Sequence, residues 1–237
     1  MRFECVTRTH VGCRRKINED SLLSRTGLWA VADGMGGHEA GEVASSLVVE
    51  MLGPVAADPS LASRAAAAHC ALQEANRRLL ATARSDGNAR TIGSTVVLVA
   101  ADARSFSCLW AGDSRAYLAR DGALTQLTRD HSLVQQLVDS GDLDSSTAAS
   151  HPNANIITRA VGAAPVLAID SVEGEVQAGD VFLLASDGLT RLLGDTEILD
   201  GLQASDLEAA ADRLIDTCLD RKAPDNVTFI IVKVHPR

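Results

Sequence analysis

Apolar residues along the chain follow two spacings in turn. Residues 28–32 form a short apolar run that ends at Asp33-Gly34, the pattern of a buried strand feeding a turn. Val43, Leu47, Val48 and Met51 fall on one helical face. Leu61, Ala65, Ala68, Leu72, Ala75 and Leu79 do the same and predict a second, longer helix. The period then shortens. Residues 95–101, 105–110, 115–119 and 123–127 are strand-like runs rich in Val, Leu and aromatics, separated by short turns. Such tight spacing predicts an antiparallel meander, because parallel neighbours need long crossovers. Asp121-Gly122, between two of these runs, reads as a plain hairpin turn. A short helix is predicted at 132–140. The polar stretch from 141 to about 155 has no clear period and reads as a flap or a surface excursion. Further strands are expected at 156–161, 166–171, 181–185 and 227–234. Leu207, Ala211, Leu214, Ile215 and Cys218 make another amphipathic helix.

Helices therefore come in two bursts, with strand clusters before, between and after. Regular βαβ alternation is absent, which argues against a Rossmann or barrel fold. The predicted class is α+β, with two antiparallel sheets each covered by helices, in one domain over residues 1–237.

Composition narrows the function. The 237 residues hold 22 Lys+Arg against 31 Asp+Glu, a formal net charge of −9, and 46% are hydrophobic. A chain of this make-up can bury a sizeable core. The negative balance argues against a nucleic-acid or anionic-membrane binder, since both need clustered Lys and Arg. Aromatics at 3% disfavour base-stacking platforms. No apolar run approaches the ~20 residues of a membrane span, and the first twenty residues hold no apolar segment that could serve as a signal peptide. Five scattered cysteines without a CxxC suggest neither a disulfide framework nor a zinc ribbon, and fit a reducing cytoplasm.

The candidate chemistry is acidic. Glu19-Asp20, Asp33-Gly34, Asp113 and Asp187-Gly188 each follow or precede a strand-like run, and Asp225-Asn226 precedes the last strand. Carboxylates brought together there repel one another unless cations neutralise them. Hard divalent ions such as Mg²⁺ or Mn²⁺ take oxygen ligands and suit that role. Glycine at position 34 would let its backbone carbonyl approach an ion. Taken singly, most Asp-Gly pairs are only turns. Arg14, Arg15 and Lys16 precede the first acids; a guanidinium there could bind phosphate bidentately, or the run could be a solvated face. His38, after Gly36-Gly37, could orient a phosphate, act as a general acid, or sit exposed near a helix start.

The motifs go further than the spacing. Arg15-Lys16-Ile17-Asn18-Glu19-Asp20 and Ala32-Asp33-Gly34-Met35-Gly36-Gly37-His38 resemble the first signatures of the protein phosphatase 2C-type (metal-dependent, PPM) serine/threonine phosphatases, compact bacterial type. In family order follow Thr91-Ile92-Gly93-Ser94-Thr95, Gly112-Asp113-Ser114-Arg115, Leu127 to Ser132, Ile157 to Gly162, Ala185-Ser186-Asp187-Gly188-Leu189 and Asp225-Asn226-Val227-Thr228. The resemblance spans nearly the whole chain. It implies a four-layer αββα sandwich and a hydrolase acting on phosphoserine and phosphothreonine in proteins, with two Mn²⁺ or Mg²⁺ ions and a third in bacterial members. Asp33 would bridge two ions, with the Gly34 carbonyl on one of them. Asp187 and Asp225 would complete the shell of the first ion, Glu19 and Asp20 would hold metal-bound waters, and Asp113 with Asp187 would hold the third ion. Arg15 would bind the substrate phosphate. Residues of about 133–155 would form the flap beside the active site.

Two departures from the family pattern stand out. Met35 occupies the place of a histidine thought to protonate the leaving group in eukaryotic relatives, which leaves His38 or a water to supply that proton. Ala154 stands where an arginine often does. Partners implied are phosphorylated proteins, a bacterial Ser/Thr kinase and its substrates, with no nucleic acid, no membrane and a monomeric state. A non-catalytic sensor on the same fold is the competing expectation, and the intact Asp33, Asp187 and Asp225 argue against it.

Overall fold

The computed structural model describes residues 1–36, 40–57, 60–85, 92–148, 150–204 and 206–236. In chain order they form β1 (Arg2–His10), β2 (Asp20–Arg25), β3 (Leu28–Met35), α1 (Ala40–Leu52), a 3₁₀ turn (Gly53–Ala57), α2 (Leu61–Ser85), β4 (Gly93–Ser94), β5 (Val96–Ala101) and β6 (Ser105–Ala111). There follow β7 (Arg115–Arg120), β8 (Ala123–Gln126), α3 (Leu133–Ser140), α4 (Ser145–Ala148), β9 (Asp170–Glu175), β10 (Val181–Ala185), α5 (Asp187–Thr190), α6 (Asp195–Leu202), α7 (Leu207–Asp220) and β11 (Val227–His235).

Two antiparallel sheets lie at the centre, ordered β1-β11-β10-β7-β8 and β2-β3-β5-β6-β9, with β4 added to β3. The inner strands β3, β5, β10 and β11 read as nearly unbroken apolar runs because both faces are buried. In β11, Ile230, Val232 and Val234 enter the core between the sheets, while Phe229 and Ile231 enter a second core with residues of α5, α6 and α7. In β3, Trp29 and Val31 face the other sheet, and Leu28, Ala30 and Ala32 face α1 and α2. Phe106 and Phe182 meet edge-on across the sheets with ring centroids 5.1 Å apart. The layers are thus α, β, β, α, as the resemblance implied.

The predicted meander divides. β5 pairs with β6 in one sheet and β7 with β8 in the other, so the chain changes sheets at Gly112. Gly112 has φ +124°, a conformation that side-chain-bearing residues rarely adopt. The Asp121-Gly122 hairpin stands as read, with positive φ at both residues (51° and 78°). Residues 156–161 are not a strand. Their ladder pairing is confined to isolated bridges at Ser132–Ile157 and Ser94–Val161, and their backbone is held by loop contacts such as Thr158 N–H to the His131 carbonyl at 2.8 Å. The strand expected at 166–171 begins at Asp170 instead, and Val166 is exposed. Sequence spacing passed over β1, β2, β4, α4, α5 and α6. Asp195 and Glu197 in the first turn of α6 were its signal, Glu197 accepting from the Gly194 N–H at 3.1 Å. α3 stands as expected, capped by Ser132 and ended by Gly141 in the left-handed region.

One segment, Ala40–Ala57, is long and apolar enough to cross a membrane by length and composition, with mean hydropathy 1.2 over 18 residues. That revises the expectation that no run comes close; Glu42 and Glu50 interrupt the run in sequence. In this fold Ala44, Val48 and Leu52 form a buried stripe in the core beneath β3.

Candidate metal centre

The sandwich ends in acids. Asp20, at the start of β2, is the ladder partner of Asp33, near the end of β3. Alternation along β3 sets Asp33 on the face of Trp29 and Val31, where the core between the sheets stops. From the other sheet, β10 ends at Ala185 and delivers Ser186 and Asp187, and β11 begins just after Asp225-Asn226. The sheet change at Gly112 brings in Asp113. Thr95 ties this corner together: the Asp33 N–H donates to its hydroxyl at 3.0 Å, and the hydroxyl meets Ser114 Oγ at 2.7 Å.

The loop bearing Arg15 and Glu19 is fastened by Asn226. Its side-chain oxygen accepts from the Glu19 N–H at 2.8 Å, and its amide donates to the Val11 and Ile17 carbonyls at 2.9 and 3.0 Å. Ser186 Oγ donates to Asp20 Oδ2 at 2.9 Å. At the mouth, Arg15 Nη2 donates to Asp225 Oδ2 at 2.8 Å and its Nη1 lies 3.6 Å from Glu19. Arg191, just past α5, bridges Asp187 Oδ2 at 2.9 Å and Asp113 Oδ2 at 3.2 Å with a single nitrogen. Gly112, the residue before Asp113, is tied to His131. The Gly112 N–H donates to His131 Nδ1 at 3.1 Å, and the His131 N–H donates to the Gly112 carbonyl at 3.0 Å. An accepting Nδ1 requires a neutral tautomer, and burial holds the His131 pKa below its ordinary value.

Burial and mutual repulsion dominate the electrostatics. Burial, then the charges of Asp20, Asp187, Asp113 and Asp225, push the Asp33 carboxyl well above the usual range. Asp20 rises to about 7, chiefly through burial and against hydrogen bonds from Thr228 and Ser186. Asp113 also rises to about 7, through burial and the charge of Asp187, with Arg191 opposing. Asp187 is raised by burial, again against Arg191.

The donors fit a hard divalent ion. They are oxygens throughout, and Asp113 Oδ1 is buried without a hydrogen-bond partner among the described residues. A Cβ on Gly41 would lie 2.8 Å from the Gly34 carbonyl and 2.4 Å from Glu19 Oε1, so the helix start leaves these two oxygens room that any side chain would fill. Among the described residues, no three His, Cys, Asp or Glu side chains form a ready-made ligand group; Arg15 and Arg191 stand between the carboxylates instead. The structure brings together Arg15, Glu19, Asp20, Asp33, Gly34, Asp113, Asp187 and Asp225. His38 lies outside the described residues. Spacing did not single out Arg191, Asn226 or His131, although all three lie in or directly beside the quoted motifs.

Comparisons with known proteins agree on one family. Residues 14–227 match the model of protein phosphatase 2C. The serine/threonine protein phosphatase PstP of Mycobacterium tuberculosis is 38% identical over 227 residues, which are 96% of this chain and 44% of PstP. The chain thus spans less than half the length of that relative. Among solved structures, PppA, a key regulatory component of the T6SS in Pseudomonas aeruginosa, superposes with a TM-score of 0.89 at 42% identity, covering 98% of this chain and 97% of that one. The catalytic domain of PstP in complex with two manganese ions superposes with a TM-score of 0.88 at 35% identity, covering 99% of each chain.

Proposed function

The chain belongs to the protein phosphatase 2C family, and on that premise we propose that it hydrolyses phosphoserine and phosphothreonine in proteins with Mn²⁺ or Mg²⁺ as cofactor. The observation that carries this reading is the convergence of Asp20, Asp33, Asp113, Asp187 and Asp225 at one end of the sandwich, delivered by both sheets. Asp33, the Gly34 carbonyl, Asp187 and Asp225 would hold two ions, Asp113 with Asp187 a third, and Glu19 and Asp20 the waters around them. Ions so held would neutralise the carboxylates, lower the pKa of a water and offset charge on the phosphoryl oxygens.

The chain's own groups supply the rest. Arg15 is half exposed at the mouth. Its guanidinium can exchange Asp225 for two phosphoryl oxygens, orienting the phosphorus for in-line attack. Thr95 and Asn226 hold the acid-bearing loops from behind, so charge stabilisation needs little rearrangement. Met35 carries no transferable proton, so a water or His38 would supply the proton for the departing alkoxide. Residues 133–155 border the centre as a flap, and the whole of 1–237 serves as one phosphatase domain acting as a monomer.

The substrates on this reading are proteins phosphorylated by a bacterial Ser/Thr kinase, the kinase among them. The serine/threonine protein phosphatase named above supports phosphorylated proteins as the substrate class. Phosphate release from a phosphothreonine peptide tests the activity: turnover with MnCl₂ is expected, and none with EDTA or in D33A. Release that persists in EDTA or in D33A would overturn the proposal.

A further inference from the structure

Arg191 faces two ways. Its Nη2 spans Asp113 and Asp187, and its Nη1 hydrogen-bonds Asn155 Oδ1 at the end of the flap. Among the described residues, this is the only side-chain hydrogen bond from 141–155 to the sandwich. Behind it lies a cavity of about 350 Å³, with Val134, Val138 and Ala148 of the flap on one wall and Asp113, Asp187 and Arg191 on the other. The arginine is well set for this. It lies four residues after Asp187, and its own N–H bonds the Asp187 carbonyl at 2.9 Å, so the ion pair follows from the helical turn.

Resting on the metal-centre reading above, we propose that Arg191 is a positioning residue that latches the flap over this cavity and competes with a divalent cation for Asp113 and Asp187. The guanidinium is the resident counter-ion of these two carboxylates. A cation that takes their oxygens displaces it, and Asn155 loses its partner. Cation loading and flap release are therefore one equilibrium, and the coupling runs in both directions.

Hydrogen–deuterium exchange and calorimetric titration with MnCl₂ on the full chain read this without a turnover assay. In the metal-free wild type, exchange at 141–155 should be slower than in R191A and N155A, and Mn²⁺ should bring the wild type to the variants' rate. R191A should bind its weakest ion roughly five- to hundredfold more tightly than the wild type. R191K and N155A should both fall between the wild type and R191A. Exchange at 141–155 that R191A and R191K leave unchanged, or an ion bound no more tightly in R191A, would overturn the latch. The expected exchange and titration in a chain that hydrolyses no phosphopeptide would uphold the latch and sink the phosphatase reading alone. Phosphopeptide hydrolysis with wild-type exchange in R191A would do the reverse.

Discussion

Asp20 and Asp33 are direct ladder partners in the β2–β3 pair, two carboxylates opposed where the sandwich core ends. Like charges opposed in a sheet destabilise it. The fold accepts that cost at the one place where cations could offset it.

Stability should therefore fall with rising pH in EDTA. Asp20, Asp33, Asp113 and Asp187 all have raised pKa values when folded, so the folded state binds more protons than the unfolded one. The stability that these protons allow is lost as pH climbs from about 4 through about 7, the value reached by Asp20 and Asp113. Thermal melts in EDTA should give a lower Tm at pH 8 than at pH 5.5. Saturating Mn²⁺ should raise Tm by mass action and do so more at pH 8, because protons leave as the metal binds. A metal-free Tm that rises with pH across this window would contradict the assignment.

Replacing Asp33 separates stability from activity. D33N removes the most strongly opposed charge, so its Tm in EDTA at pH 8 should exceed that of the wild type. The same change should lower kcat by at least about a hundredfold with Mn²⁺ present. Melting and phosphopeptide turnover on one preparation check both halves.

Arg15 should act on binding more than on chemistry. R15A should lower kcat/KM for a phosphopeptide roughly ten- to hundredfold, the worth of a charge-assisted bidentate contact. R15K should recover only part of this, since an ammonium cannot present the planar fork. Steady-state kinetics at fixed Mn²⁺ decide it; equal activity of R15A and the wild type would remove Arg15 from the phosphate site.

Asn226 is buried and holds three backbone groups of the 11–19 loop. N226A leaves them unpartnered, at about 2–3 kcal/mol. For a chain of this size that is a Tm drop of roughly 4–12 °C. Titration should also show weaker Mn²⁺ binding, because Glu19 loses its anchor.

Much of this molecule is local and therefore legible in the chain. The face of α2, the cap of α3 at Ser132, the hairpin at Asp121-Gly122 and the runs of β5, β6, β10 and β11 follow from spacing, caps and turn residues. The acids also announce themselves: Asp33, Asp113 and Asp187 sit where an apolar run stops, and Asp225 just before one begins. Which strands share a sheet was not legible. Alternation tells the two faces of a strand apart only when one meets water, and strands buried on both faces carry no such mark. The sheet change at Gly112, the Thr95 hydroxyl between Asp33 and Ser114, and the reach of Arg191 to both Asp113 and Asn155 join residues tens of positions apart. Sequence supplied the donors and their order along the chain. Only the packing of one sheet on the other decided that they meet, because burying the apolar faces brings the strand ends that carry Asp20, Asp33, Asp113, Asp187 and Asp225 to the same edge of the sandwich.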